Sequence, residues 1–357
     1  MRPAQARINL QALQHNFHRV QALAPDSKIM AIIKANAYGH GLVPVAQALR
    51  GRDAFGVACL DEAISLREAG FDRRIVLLEG LFGADDLALI HGYRLDVVIH
   101  HISQVEILEQ DRPAKPVDVW LKIDTGMHRL GFAPDQVAAV TERLERLPQP
   151  GCVRYLSHFA CADEPDNPAT QIQIDRFEEA CADFKGERSL ANSAAVLAWP
   201  ASHGDWVRPG IMLYGSSPLP ARTAEDLGLQ PVMTLATRLI AVNPHSKGEA
   251  VGYGGDWTCS EDMPVGVAAM GYGDGYPRHA PAGMPVLVNG KRSALIGRVS
   301  MDMICIDLRT RPDAKVGDEV ILWGEGLPVD EVAQQAGTIS YELLCGVGSR
   351  VRFEYCS

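Results

Sequence analysis

The stretch Ile29-Met30-Ala31-Ile32-Ile33-Lys34 is a short apolar run that stops at a lysine, and the glycine-punctuated segment Ala35-Asn36-Ala37-Tyr38-Gly39-His40-Gly41 follows at once. An apolar run of this length without polar alternation predicts a strand buried on both faces, as in a parallel sheet covered by helices. The same unit recurs at 55–58, 74–78, 96–99, 117–123, 153–159, 189–191 and 207–213, which makes roughly eight strands between about residues 28 and 215. Helical patterns separate most of them, as at 61–69 and 171–184. The predicted class is therefore α/β. Eight strand–helix units match a (β/α)₈ barrel better than a doubly wound sheet, because the G-x-G-x-x-G phosphate fingerprint is missing.

Beyond Pro231 the texture changes. Strand-like runs follow one another closely, and Asn289-Gly290, between Val286-Leu287-Val288 and Ser293-Ala294-Leu295, predicts a tight hairpin. We divide the chain into a barrel over 1–230 and a mainly β domain over 231–357, with the first few residues either opening the barrel unit or joining the β domain. No Pro-, Gly- or Ser-rich linker separates the halves, so they are expected to pack together.

Composition narrows the function. The 357 residues carry 34 basic and 44 acidic side chains, a formal charge of -10, which argues against nucleic acid or an anionic membrane as partner and favours a small molecule. Hydrophobic residues make up 47% and charged ones 22%, which predicts a folded globular chain. No signal-like apolar segment and no membrane-spanning run is apparent, so a cytoplasmic location is expected. The eight cysteines show no C-x-x-C pair or metal-ligand spacing and are expected to be reduced and mostly buried. P-loop, H-E-x-x-H and G-x-S-x-G motifs are absent as well.

Barrel chemistry sits at the C-terminal ends of the strands. Lys34 is placed there and can form a Schiff base with a carbonyl compound; by spacing alone a solvated lysine opening a loop is the commoner reading. Strict alternation in Val117-Asp118-Val119-Trp120-Leu121-Lys122-Ile123 turns Lys122 into the barrel, where an unpaired ammonium needs a partner or a modification. Asp124-Thr125-Gly126 matches an aspartic-protease triplet, but that chemistry needs two such carboxylates and there is one triplet. His158 closes another strand, where structural and catalytic histidines are equally common. Asn192-Ser193 and Arg208-Pro209-Gly210-Ile211 end the last two strands, where barrels hold phosphate groups and where glycine also serves ordinary turns. Tyrosines stand among glycines at 252–255 and 271–276, either open to a ligand or packed in turns.

Together and in order, these segments resemble the alanine racemase family: KANAYGHG at 34–41, KIDTGMHRLG at 122–131, SHFA at 157–160, RPGIMLYG at 208–215, VGYG at 251–254, GYGDGYPR at 271–278, GRVSMD at 297–302 and TISYE at 338–342. The resemblance spans nearly the whole chain. It implies a pyridoxal 5'-phosphate (PLP) enzyme that interconverts L- and D-alanine.

By that resemblance Lys34 carries PLP, and Tyr38, Ser193, Gly210, Ile211 and Tyr341 hold its phosphate. Arg208 faces the pyridine nitrogen, His158 packs on the ring and Asn192 supports the site. A cation at that nitrogen keeps it unprotonated and makes the ring a poorer electron sink, which favours proton return over transamination. Racemisation takes a proton from one face of the α-carbon and returns one to the other, so two bases flanking a planar intermediate are the economical design. The resemblance assigns Lys34 to the D-isomer and Tyr253 to the L-isomer. It further implies that Arg129 reaches the substrate carboxylate or the PLP phenolic oxygen, that Lys122 is carbamylated and orients Arg129, and that Tyr253, Tyr272 and Met301 enter from the partner in a homodimer with composite sites. Asp163 and Asp302 belong to the entry corridor. A biosynthetic role, supplying D-alanine as a peptidoglycan precursor, and a catabolic role both stay open. Two other readings are a PLP decarboxylase of basic amino acids, against which Arg208 argues, and a non-catalytic PLP-binding protein, which has no need of the β domain.

Overall fold

The computed structural model describes residues 2–111 and 116–356; the outermost residues of the two expected domains, 1 and 357, lie outside that range. The chain begins with β1 (Gln5–Asn9), which leads directly into the helix Leu10–Leu23. The Asn9 side chain accepts the Ala12 N–H at 2.9 Å and so caps that helix.

Among the described residues, eight parallel strands then close into a barrel: β2 (Lys28–Ile32), β3 (Ala54–Val57), β4 (Arg74–Leu77), β5 (Asp96–Ile99), β6 (Val117–Lys122), β7 (Pro150–Leu156), β8 (Arg188–Ser189) and β9 (Trp206–Val207). Closure is made by β9 against β2, with Lys28 opposite Trp206 and Ile29 opposite Val207. The strands are apolar because both barrel faces are covered: Met30, Val57, Ile75, Val98 and Leu121 are all fully buried. One expected strand is shorter than read. The run 207–213 is extended only at its start, and Ile211–Tyr214 forms a 3₁₀ turn. Pro209 has no N–H for a ladder, and Gly210 at φ -121° and ψ -94° turns the chain aside.

The N-terminal end of the barrel is tied by charge. Arg74 pairs with Asp96 and with Asp118 (3.1 Å), Arg154 with Asp118 (3.0 Å) and Glu187 (2.6 Å), and Lys28 with Glu187 (2.6 Å). The opposite end is left free for the site.

The second sheet is antiparallel except at one edge. It comprises β10 (Met233–His245), β13 (Met263–Ala268), β14 (Pro285–Val288), β15 (Lys291–Ile296), β16 (Ile304–Asp307), β17 (Glu319–Trp323) and β18 (Arg352–Cys356), while β11 (Ala250–Val251) and β12 (Trp257–Thr258) form a small separate ribbon. The β14–β15 turn is made by Asn289 (φ 49°) and Gly290 (φ 72°), both at the positive φ that a two-residue turn of this hand requires. β1 joins this sheet, antiparallel to β10 and parallel to β18, so the N-terminal residues stitch the two halves together. Ser216 adds a second tie: its hydroxyl meets Asp330 and stands 2.6 Å from that of Ser340.

All eight cysteines are unpaired, but the expectation of burial fails. Cys181 and Cys259 are buried, whereas Cys152, Cys345 and Cys356 are exposed. Thiol composition says nothing about which strand edge or helix end receives each residue. Among the described residues, no helix is long and apolar enough to cross a membrane.

Candidate active site

Lys34 stands two residues past the end of β2, at the rim of the barrel, and the chain beyond it takes a rare form. Ala35, Asn36, Ala37 and Tyr38 have φ of 53°, 53°, 55° and 51°, a left-handed turn built from L-residues. Such backbone costs about 1–2 kcal/mol per residue, so the surrounding structure must hold it in place. Ala37 N–H donates to the Ile33 carbonyl at 2.9 Å, Gly41 N–H to that of Asn36 at 3.0 Å, and Leu42 N–H to the Asn36 side chain at 2.8 Å. Gly39 (φ 79°) lies so close to the C-terminal domain that a Cβ would stand 2.1 Å from the Leu344 carbonyl oxygen. Only glycine fits there. The turn presents Lys34 and Tyr38 to the same side.

That side is a cavity of about 1320 Å³. It is lined by Lys34, Tyr38, Lys122, Arg129, His158, Asn192, Ser193, Arg208, Gly210, Ile211 and Tyr341, so eleven of the expected residues meet at one place, with Asp163 beside them. Cations dominate. Burial and then the charges of Arg208, Arg129 and Lys34 push the Lys122 amine down to about 8, while Asp124 pulls the other way. Asp124 is engaged elsewhere, accepting the N–H groups of Gly126 (3.1 Å) and His128 (2.9 Å).

Arg208 is buried without a carboxylate partner among the described residues. Its guanidinium donates to Ser189 Oγ (2.7 Å) and to the carbonyls of Ser157 (2.5 Å) and Leu190 (3.1 Å). Burial lowers it to about 10, which leaves it cationic at neutral pH. His158 Nδ1 lies 3.4 Å from Arg208 Nη2; burial, followed by Arg208, Lys122, Arg129 and Lys34, drives this imidazole well below its ordinary value and keeps it neutral.

Across the cavity, Ser193 Oγ accepts the Gly210 N–H at 2.8 Å, and the Asn192 side chain caps the following helix through the Ala195 N–H at 3.0 Å. A Cβ on Gly210 would stand 2.5 Å from the Tyr38 hydroxyl, so the phenol lies against bare backbone. The Tyr38 and Tyr341 rings are 5.9 Å apart. Burial, with Asp163 and Asp330 nearby, raises Tyr341 to about 12.

Four expected residues are elsewhere. Tyr253 (67% exposed), Tyr272 (41%) and Met301 (52%) lie on the C-terminal domain and do not line this cavity. The Tyr272 loop is fixed from below: buried Asp274 accepts the Gly271 N–H at 2.9 Å and pairs with Arg2 (2.6 Å) and Arg350 (3.1 Å). Asp302 also sits there, paired with Arg350 at 2.5 Å.

The structure adds residues that the sequence reading missed. Gln173 bonds the His158 carbonyl (3.1 Å), Thr125 Oγ1 (3.2 Å) and the Ala160 N–H (2.9 Å), which locks the His158 segment to the β6 turn. Glu79 and His100 join the lining. Gln173 belongs to a helix whose periodicity marks it only as a position beside the barrel. Its contacts are long-range and have no sequence signature.

The model of the alanine racemase N-terminal domain matches residues 8–218, and that of the alanine racemase C-terminal domain matches 232–355. The chain belongs to the alanine racemase family. Alanine racemases of Thioalkalivibrio sulfidiphilus and Shewanella sediminis are 55% and 52% identical to it, across 99% and 97% of both chains respectively. The biosynthetic alanine racemase of Pseudomonas aeruginosa has the same fold, with a TM-score of 0.97 at 49% identity over all of both chains. Alanine racemase membership makes the protein an amino-acid racemase, an isomerase, of a family that depends on PLP.

Proposed function

We propose that this chain interconverts L- and D-alanine with PLP, using Lys34 and Tyr253 as bases on opposite faces of the substrate α-carbon. The observation that carries the reading is the convergence of Lys34, Lys122, Arg129 and Arg208 on one cavity, where Asp124, the carboxylate that acts on Lys122, is turned into its own loop. Such a site calls for anions. The cofactor phosphate, the substrate carboxylate and a carbamate on Lys122 are three that fit its chemistry.

When bound, PLP supplies an electron sink that acidifies the α-hydrogen of an amino acid. Lys34 would hold the cofactor, and the hydroxyls of Tyr38, Ser193 and Tyr341 with the backbone of Gly210 and Ile211 would hold the phosphate. His158 and Asn192 would flank the cofactor at that corner. Arg208, cationic even at its lowered pKa, would keep a proton off the pyridine nitrogen, which would favour proton return to the α-carbon over transamination. Lys34 Nζ moves the proton of the D-isomer and Tyr253 Oη that of the L-isomer. Arg129 engages the carboxylate and stabilises the Tyr253 phenolate, and carbamylated Lys122 orients Arg129.

Tyr253 lies outside the cavity of its own chain, which supports a homodimer in which Tyr253, Tyr272 and Met301 complete the site of a second copy. Relatives described as biosynthetic, from Escherichia coli and P. aeruginosa, support a role in supplying D-alanine. Replacing Tyr253→Phe tests the pairing. Racemisation is expected to fall on the order of a thousandfold with cofactor absorbance retained, and wild-type turnover would remove Tyr253 from the mechanism.

A further inference from the structure

His40 belongs to the segment that carries Lys34 and Tyr38, yet none of the roles above uses it. It is completely buried. Its Nδ1 lies 2.9 Å from the Tyr38 carbonyl oxygen and 3.1 Å from that of Ala37. Carbonyl oxygens only accept, so Nδ1 carries the hydrogen and donates to both. Nε2 is then a bare acceptor, and it is buried with no partner. Burial pushes the imidazole down to about 4, so the ring is held neutral and in one tautomer.

The ring is fixed by stacking as well. His40 lies on Tyr214 with centroids 4.6 Å apart, and the ring of Tyr38 is 4.8 Å from that of Tyr214. Tyr214 is itself anchored by donating to the Ile32 carbonyl at 2.9 Å, on the last residue of β2. The imidazole therefore grips the two carbonyls at the end of the left-handed turn and rests on a ring that is tied to the barrel.

We propose that His40 is a positioning residue: its Nδ1–H clamps the left-handed turn and thereby sets the Tyr38 hydroxyl relative to Lys34. The clamp rests on the reading that Lys34 holds PLP and Tyr38 its phosphate. Without the donor, the Tyr38 carbonyl loses a bond that the buried surroundings do not replace, the Ala37 carbonyl keeps only backbone donors such as the His40 N–H at 3.0 Å, and the turn relaxes toward right-handed backbone. Lys34 precedes the turn and keeps its place; Tyr38 ends it and moves.

The test separates phosphate recognition from attachment at Lys34. Wild type, His40→Phe and His40→Asn are reconstituted with PLP and with pyridoxal, which lacks the phosphate, and binding is read from absorbance of the lysine-bound compound. Phenylalanine keeps a ring for the stack and removes the donor; the asparagine amide restores a donor near the Nδ1 position without the ring. His40→Phe is expected to lose about tenfold in PLP affinity, the scale of one hydrogen bond, with pyridoxal affinity unchanged. His40→Asn should recover most of the loss. An equal loss for both compounds, or none for either, overturns the clamp. Should His40→Phe not fold, His40→Asn alone decides, since a donor that suffices must preserve the wild-type preference for PLP over pyridoxal. Failure of the underlying reading is distinct: wild type itself then shows no preference, or Lys34→Ala retains the absorbance.

Discussion

Tyr38 and Tyr214 stack with ring centroids 4.8 Å apart and planes inclined by 25°, which joins the end of the left-handed turn to the last turn of the barrel. Tyr214 is fully buried and donates to the Ile32 carbonyl at 2.9 Å. Tyr214→Phe keeps the stack and leaves that carbonyl without its donor. The expected effect is a loss of about 1–3 kcal/mol in folding stability, read from the denaturant midpoint, with PLP affinity retained.

Gly39 makes a sharper case. Its φ of 79° and the Leu344 carbonyl, 2.1 Å from any Cβ, both exclude a side chain. Gly39→Ala should destabilise by at least about 2 kcal/mol and weaken the contact between barrel and C-terminal domain. Chemical denaturation of the apoprotein measures the first effect, and limited proteolysis the second.

Lys122 gives a pH signature. The fold lowers its amine from the ordinary 10.5 to about 8, so the folded state resists a proton that the unfolded chain accepts. Stability contributed by the neutral amine is complete above 10.5, falls as pH drops from there to about 8, and is level below. Lys122→Met removes this dependence, so the variant's advantage over unmodified wild type should grow through that window and then stay constant. Thermal midpoints across the range check the sign. Addition of bicarbonate should add the mass of one carbon dioxide to wild type and not to Lys122→Met.

The base of the barrel bears on stability alone. Burial raises the Asp96 carboxyl, while Arg74 and the Trp120 indole, 3.0 Å away, pull it down. Asp96→Ala leaves Arg74 and Trp120 short of their shared partner and should cost about 3 kcal/mol. Turnover per folded molecule should be unchanged, because the cavity opens at the other end of the barrel.

Much of this was legible in the sequence, and the reason is locality. Barrel strands announce themselves as apolar runs, and the turn at Asn289-Gly290 needs only those two residues to be read. The convergence of Lys34, Lys122, His158, Ser193 and Arg208 followed from strand ends sharing one face. The left-handed turn was not legible, because Ala35, Asn36 and Ala37 have no intrinsic preference for it. Its conformation is imposed by the packing of Gly39 on Leu344 and by the His40 side chain, both long-range or side-chain effects. The same holds for Gln173, and for the run 207–213, where Pro209 and Gly210 cut short a pattern that hydrophobicity alone extends.

The central claim is proton exchange at the α-carbon of alanine. The PLP-loaded protein, given L-alanine in deuterated water, should form D-alanine that carries deuterium at the α-carbon. Recovery of L-alanine with no exchange and no D-isomer, or release of carbon dioxide from basic amino acids instead, would contradict the account.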